Sequence, residues 1–347
     1  MCGITGVFDT RGQRAVDRGV LERMNDSQQH RGPDEGSVHL EPGLGFGHRR
    51  LSIIDIATGQ QPLFNEDHSV VVVFNGEIYN YQQLIPELQA LGHRFRTKSD
   101  TEVIVHAWEA WGEACVTRFR GMFAFALWDR NKQTLFLARD RLGVKPMHWA
   151  LLDDGTLLFG SELKSLLAYR GAQGSALKRE LDPLAVEEYF ALGYVAEPRT
   201  IFRQAHKLPP AHTLTIRRGQ PLPAPREYWD VHFTLGNPTS AKDACDELVH
   251  RLRESVKLRM ISEVPLGAFL SGGVDSSAVV QAMAGLSDGP VNTCSIAFDD
   301  PAFNESAFAQ MVADRYRTNH HVETVKSDDF DLVDTLARLY DEPYADS

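Results

Sequence analysis

The sequence predicts two bodies of different class: a layered α+β body first, then an α/β body built on a parallel, doubly wound sheet. Three observations predict this. Up to about residue 167, short β-rich runs joined by polar turns alternate with a few helical stretches, as in a layered α+β domain. From about Lys242 onward, strand and helix take strict turns, the signature of a parallel sheet. Between the two, from roughly Gly171 to Pro225, runs such as "YRGAQGSALKRELDP" and "RRGQPLPAPREYWD" carry connector signals, with the seam near "PLPAPREYW".

The elements follow in order. "SVVVVF" (69–74) reads as a strand, and Asn75-Gly76 after it is a strong turn pair. "YQQLIPELQALGH" has helical spacing through Leu84, Leu88 and Leu91 and ends at Gly92. "SDTEVIVHAWEAWG" is expected to be a helix capped by Ser99 or Asp100. "GMFAFALWD" and "TLFLARD" are strands joined by a turn around Arg130–Lys132, and "TLLFGSE" is another strand. In the second half, "DACDELVHRLRESVKLRM" is a helix, "VPLGAFL" a strand, "SGGVDSS" a loop, and Ala278–Ala284 a helix. "VNTCSIAF", "ESAFAQMVADRYR", "HHVETV" and "DFDLVDTLARLY" continue the alternation.

Length and composition narrow the function. A chain of 347 residues has room for about two domains, each with its own core. The formal net charge of −11 argues against a surface that coats nucleic acid, which needs basic stripes. No apolar stretch approaches the ~20 residues of a membrane span, and no signal peptide is recognised. Four cysteines without metal-ligand spacing fit a reducing compartment, so the protein is expected to be cytoplasmic. Cys115, Cys245 and Cys294 read as packing or helix-face residues.

Two stretches carry chemistry. In "MCGITGVF", trimming of the initiator methionine would leave Cys2 with its thiol and a free α-amine on one residue. An α-amine of pKa ~7.7–8 can act as the base that a thiol nucleophile requires. Acyl transfer there needs oxyanion donors, and the Asn75 amide with the Gly76 N–H are suitable, although Asn-Gly alone favours a hairpin turn. In "LGAFLSGGVDSS", the Ser271-Gly272-Gly273 backbone at a helix start forms an anion cradle, with hydroxyls on Ser271, Ser276 and Ser277. No Gly-Lys-Ser/Thr follows, so it is not a Walker loop.

"CGITGVF", "RGPDEG" (31–36), "GHRRLSIID" (47–55), "FNGEIYN" (74–80) and "KSDTEV" (98–103) resemble class II glutamine amidotransferases in order and spacing. "RGMFAFALWD", "ARDRLGVKP" and "FGSELKSL" extend the match to about residue 167. "SGGVDSS" resembles the PP-loop of ATP pyrophosphatases, and a class II glutaminase followed by a PP-loop resembles the glutamine-hydrolysing asparagine synthetase family over nearly the whole chain.

The resemblance implies an αββα N-terminal-nucleophile sandwich, with residues 2–218 as the amidotransferase domain, and a PP-loop-type parallel sheet, with 240–347 as the first part of a synthetase domain. It implies Cys2 as nucleophile and Asn75 and Gly76 as oxyanion hole. Arg50 would hold the glutamine α-carboxylate beside Leu51, Ser52, Ile53 and Ile54, with Glu77 and Asp100 on the α-ammonium. For ATP it implies Leu270, Ser271, Gly272, Gly273, Asp275, Ser276 and Ile296, with Asp275 toward Mg2+, and Asp341 and Glu342 near the synthetase site. The expected reaction is glutamine-dependent, ATP-driven amide formation, with aspartate as acceptor, by a homodimer that binds neither nucleic acid nor membrane. The alternatives are another carboxylate or a cell-envelope precursor as acceptor, or a glutaminase or glutamine sensor without synthetase activity. The family's second glycine-rich acidic motif is not found before Ser347, so the synthetase part reads as truncated.

Overall fold

The computed structural model describes residues 1–234, 236, 239–300, 302, 304–325 and 332–345. The chain divides into two compact units, Met1–Val231 with Thr335–Ser347, and His232–Asp334.

The first unit begins with β1 (Gly3–Asp9), α1 (Arg18–Asp26), β2 (Glu35–Glu41), β3 (Leu44–Arg50), β4 (Leu63–Phe64) and β5 (Val70–Ile78). It continues through α2 (Tyr81–Ala90), α3 (Glu102–Trp111), α4 (Cys115–Arg118), β6 (Gly121–Asp129) and β7 (Thr134–Arg139). Then come β8 (His148–Leu151), β9 (Thr156–Gly160), α5 (Leu163–Leu167), α6 (Pro183–Leu192), β10 (Ala205–Lys207), β11 (His212–Arg217) and β12 (Arg226–Glu227). Among the described residues the strands form two six-stranded antiparallel sheets, ordered β10-β8-β9-β1-β3-β2 and β12-β11-β7-β6-β5-β4.

The sheets share one apolar layer. Phe8, Phe46 and Phe159 of the first sheet pack with Val71, Val73, Trp128 and Leu137 of the second, all buried. Alternation puts Val7 on the other face, where Leu21 and Met24 of α1 and Leu163 and Leu166 of α5 cover it. On the far side of the second sheet, Trp108 of α3 lies 4.9 Å from Phe136 of β7, ring centre to ring centre. Helix, sheet, sheet, helix is therefore the layering, and it explains why β5 begins as an unbroken apolar run: both its faces are covered.

The second unit contains α7 (Ala241–Arg259), β13 (Gly267–Phe269), α8 (Val274–Ala284), β14 (Asn292–Phe298), α9 (Ser306–Tyr316) and β15 (Asn319–Val325); α10 (Leu332–Tyr340) crosses the boundary between units in sequence. β13, β14 and β15 are parallel and adjacent in that order. Leu270 and Val280 pack with Ala309 and Ala313 of α9, while Val256 of α7 meets Met283 of α8.

Four local expectations change. The stretch from Gly171 to Pro225 is not a connector: it contains α6, and its strands β10 and β11 pair with β8 and β7 in the two sheets. Asn75-Gly76 is not a turn: β5 runs on to Ile78, with Asn75, Gly76 and Glu77 paired to Ala124, Phe123 and Met122 of β6. A full-length ladder overrides the short-range turn signal. Neither Ser99 nor Asp100 caps α3, whose cap position is Thr101; Asp100 Oδ2 instead accepts from the Ile78 N–H at 2.8 Å. α8 starts at Val274 rather than Ala278, so Asp275, Ser276 and Ser277 lie in its first turn.

Candidate active site

Cys2 immediately precedes β1, and three neighbours fix the chain there. Arg31 Nε donates to the Cys2 carbonyl at 2.9 Å, and Arg31 Nη1 pairs with Glu162 at 3.0 Å. The Ile4 N–H donates to Ser161 Oγ at 3.0 Å. Cys2 Sγ accepts from the Leu51 N–H at 3.4 Å and points its own proton at the Leu51 carbonyl, 3.6 Å away. Burial pushes the thiol pKa up, opposed by the Leu51 N–H. Burial also lowers the terminal amine of Met1 below its ordinary value, and Arg31 and Lys145 push it the same way.

A cavity of about 120 Å³ opens over this sulfur. Its wall contains Cys2, Arg50, Leu51, Ile53, Ile54, Asn75, Gly76, Glu77 and Asp100. Ser52 is not part of the wall; its N–H is held by Asp34 of the "RGPDEG" segment at 2.8 Å. Asn75 is buried, and both polar atoms of its side chain lack a partner within the protein. An amide left in that condition costs free energy unless something else bonds it, so it marks a place built for a polar guest. Gly76 is required by close packing, because a Cβ there would lie 2.7 Å from the Phe123 Cα.

Charge in the wall is divided. Asp100 is buried, and desolvation pushes its pKa up to about 7, against the Ile78 N–H and with the help of neighbouring Glu77. Two carboxylates crowded in this way favour a cationic group between or beside them. Arg50 is buried and bonds the loop that follows it: Nη2 donates to the Asp55 carbonyl at 2.7 Å, and Nη1 to the Ile56 carbonyl at 3.3 Å. Its contacts to the Glu35 carboxylate are longer, 3.4 Å to each oxygen, so an incoming carboxylate can compete for that edge.

Sequence reasoning missed several wall residues. Gln61 braces β5 just ahead of Asn75, its Oε1 accepting from the Phe74 N–H at 2.7 Å and its Nε2 donating to the Phe74 carbonyl at 3.1 Å. Lys145 is a buried cation in the wall, its pKa lowered by burial and raised by Glu77. Asp140 shapes the turn that delivers it, accepting from the Lys145 N–H at 2.9 Å and from the Phe123 N–H at 3.1 Å. Its motif, "ARDRLGVKP", was visible, but nothing in the spacing said that the lysine faces the cysteine.

In the second unit a separate cavity of about 350 Å³ includes Leu270, Ser271, Ser295 and Ile296 in its wall. Gly272, Gly273, Asp275 and Ser276 are outside that wall, on the adjoining loop and the first turn of α8. Gly272 has φ +86°, and a Cβ on it would come 2.5 Å from the Phe308 Cβ, so the loop depends on glycine there. Ser271 Oγ ties the loop, accepting from the Gly273 N–H at 3.2 Å and lying 3.0 Å from Ser276 Oγ. Exposed Asp275, a lone carboxylate beside this anion cradle, fits a magnesium ion held mainly by phosphate oxygens and water. Asp341 and Glu342 are occupied otherwise: Asp341 Oδ2 accepts from the Lys164 N–H at 2.7 Å, and Glu342 binds Lys207 and the Ile201 N–H. No helix among the described residues is long and apolar enough to cross a membrane.

Residues 1–229 match the family of glutamine amidotransferase domains, and residues 247–347 match asparagine synthase. The chain is 37% identical to asparagine synthetase (glutamine-hydrolyzing) 3 of Bacillus subtilis (strain 168), over 97% of this chain and 56% of that protein. It is 35% identical to asparagine synthetase (glutamine-hydrolyzing) 1 of the same organism, over 100% of this chain and 54% of that one. A putative asparagine synthetase (glutamine-hydrolyzing) 2 of Methanocaldococcus jannaschii is 35% identical over 100% of this chain and 69% of its own length. The chain spans about half the length of the two Bacillus relatives.

Proposed function

The chain belongs to the glutamine-hydrolysing asparagine synthetase family, and from that premise we propose that it releases ammonia from glutamine at Cys2 and transfers it to an ATP-activated carboxylate, aspartate in the first instance. Residues 2–218 would be the amidotransferase domain and 240–347 the start of the synthetase domain. The observation that carries the reading is the convergence of Cys2, the unpartnered Asn75 amide and the Glu77–Asp100 pair on one cavity.

With Met1 removed, the free amine sits on Cys2, on the same residue as the thiol whose proton it would accept. The amine takes the thiol proton as Sγ attacks the side-chain amide carbon of glutamine. The carbonyl electron pair moves to oxygen, received by Asn75 Nδ2 and the Gly76 N–H. Collapse expels ammonia, which carries off the proton from the amine, and water then cleaves the thioester to glutamate. Arg50 is assigned to the α-carboxylate, Glu77 and Asp100 to the α-ammonium. In the second unit Leu270 and Ile296 are assigned to the nucleotide, Ser271–Ser276 to its phosphates, and Asp275 to Mg2+. ATP would adenylate the acceptor carboxylate with loss of pyrophosphate, and ammonia would displace AMP to give the amide. A homodimer in the cytoplasm is part of the same proposal.

The test is intact mass together with glutamate and pyrophosphate release, for the wild type and Cys2→Ala, with and without ATP and aspartate. Loss of Met1 and a fall of glutamate release to background in Cys2→Ala supports the glutaminase half; retention of Met1, or release that survives the substitution, overturns it. Pyrophosphate formed only with aspartate supports the acceptor. Pyrophosphate with another carboxylate, or none with any, moves the reading to a different ligase or to a glutaminase alone.

A further inference from the structure

Away from the cavity, four side chains from three segments of the first unit converge: Glu66 in the β4–β5 turn, His93 after α2, and His106 and Glu109 one turn apart on α3. We propose that these four residues bind a divalent transition cation of the zinc class, with a His2Glu2 donor set, and that the ion staples the β4–β5 turn and the α2–α3 connection to α3.

Spacing is the first argument. Four ligands about 2.1 Å from a tetrahedral zinc ion stand about 3.4 Å from one another. Here Glu109 Oε2 is 3.3 Å from His106 Nδ1 and 3.6 Å from His93 Nδ1, while Glu66 reaches His106 Nδ1 with Oε2 at 3.6 Å and His93 Nδ1 with Oε1 at 3.9 Å. The ligand atoms all lie within 4.8 Å of one another. Charge-assisted hydrogen bonds would draw such pairs to about 2.7–2.9 Å. Only the His106–Glu109 pair, at 3.3 Å, is within hydrogen-bond reach, and the other three pairs stand at ligand-to-ligand distances.

The supporting contacts point the same way. Metal-bound histidines are oriented by a carboxylate on the other ring nitrogen, and ligating carboxylates are themselves hydrogen-bonded. His106 Nε2 is buried without a hydrogen-bond partner and lies 3.5 Å from Glu102, which is fixed by the Arg96 N–H at 2.8 Å and the Thr97 N–H at 2.7 Å, so a small shift of the ring would complete that pair. Glu109 Oε1 accepts from Asn65 Nδ2 at 2.7 Å, and Glu66 Oε1 from the Arg94 N–H at 2.7 Å. Three carboxylates around two imidazoles leave a surplus of negative charge that a dication balances. His106 is fully buried, while His93, Glu66 and Glu109 keep a path to solvent.

The test uses the full chain, stripped with chelator and titrated with Co2+, then with Zn2+ as competitor. The expected result is a visible d–d band of four- or five-coordinate cobalt that saturates at about one equivalent. It carries no thiolate-to-cobalt charge transfer, is displaced by zinc, and falls at least tenfold in affinity in His93→Ala. His93 is the residue to change because it follows a helix near the surface, whereas truncating buried His106 endangers folding; Glu109→Gln serves as the second variant. Absence of a saturable band, a sulfur charge-transfer signal from exposed Cys245 or Cys294 alone, or undiminished binding in both variants overturns the proposal.

Discussion

Asp100 ties structure to pH more directly than any other side chain in the cavity. Burial, with Glu77 beside it, raises its pKa from the ordinary carboxylate value to about 7. The folded chain therefore keeps a proton that the unfolded chain releases near pH 4. Its contribution to stability is fully present below about pH 4 and is lost as pH rises toward 7. In the proposed assignment the glutamine ammonium favours the charged form of Asp100, so binding and deprotonation are linked. In Cys2→Ala, which binds without turnover, glutamine affinity should weaken about tenfold for each pH unit below 7, with release of about one proton. Calorimetry in buffers of different ionisation heat measures both quantities, and an affinity constant from about pH 5.5 to 8 would remove Asp100 from the ammonium site. At this scale much was legible: Cys2, Arg50, Asn75, Glu77 and Asp100 were named from motifs and share one wall. Lys145 and Gln61 were not, because what makes them matter is burial against partners from other segments.

Among elements, the β13–α8 loop is held by backbone geometry. Gly272 combines a left-handed φ with a neighbour that leaves no room for a Cβ. Gly272→Ala should weaken ATP binding to the full chain at least tenfold while glutamate release at Cys2 stays unchanged. Equilibrium nucleotide titration and a glutaminase assay on the same sample check this, and unaltered nucleotide affinity would count against the cradle. Periodicity identified α2, α3 and the strand–helix alternation of the second unit, but only β5, β6, β7 and β9 of the first unit's strands; β1, β2, β3, β11 and the helices α1 and α6 went unrecognised. It failed at Asn75-Gly76, where a local turn signal loses to a ladder with β6, and at Asp100, where a cap-type residue is drawn across to Ile78. The Glu66–His93–His106–Glu109 cluster was invisible for a related reason: its spacing of 27, 13 and 3 residues matches no metal motif, and only the docking of α3 assembles it.

At the scale of the whole molecule, the two units differ in how much apolar surface they bury. The sandwich holds broad layers of fully buried aromatic and aliphatic side chains, whereas the second unit has small core clusters and leaves Phe269, Val274 and Phe308 exposed. Less burial means less stabilisation, at roughly 25 cal/mol per Å² of apolar surface. Scanning calorimetry should therefore resolve two transitions, the lower from the second unit and moved upward by nucleotide, the higher from the sandwich and moved upward by glutamine in Cys2→Ala. A single transition shifted equally by both ligands would mean that the cores unfold together. The sandwich also bears on temperature. Asn75 and Gly76 sit within β5, paired residue for residue to β6, not on a loop that must fold over the substrate. If they receive the oxyanion as proposed, their dipoles are held by the sheet before substrate binds, so little reorganisation of these donors is left for the barrier to include. If these donors set the barrier, acyl transfer at Cys2 should follow a straight Arrhenius line until the sheet itself melts, and a break at lower temperature would assign the limiting step to the segment between β3 and β4.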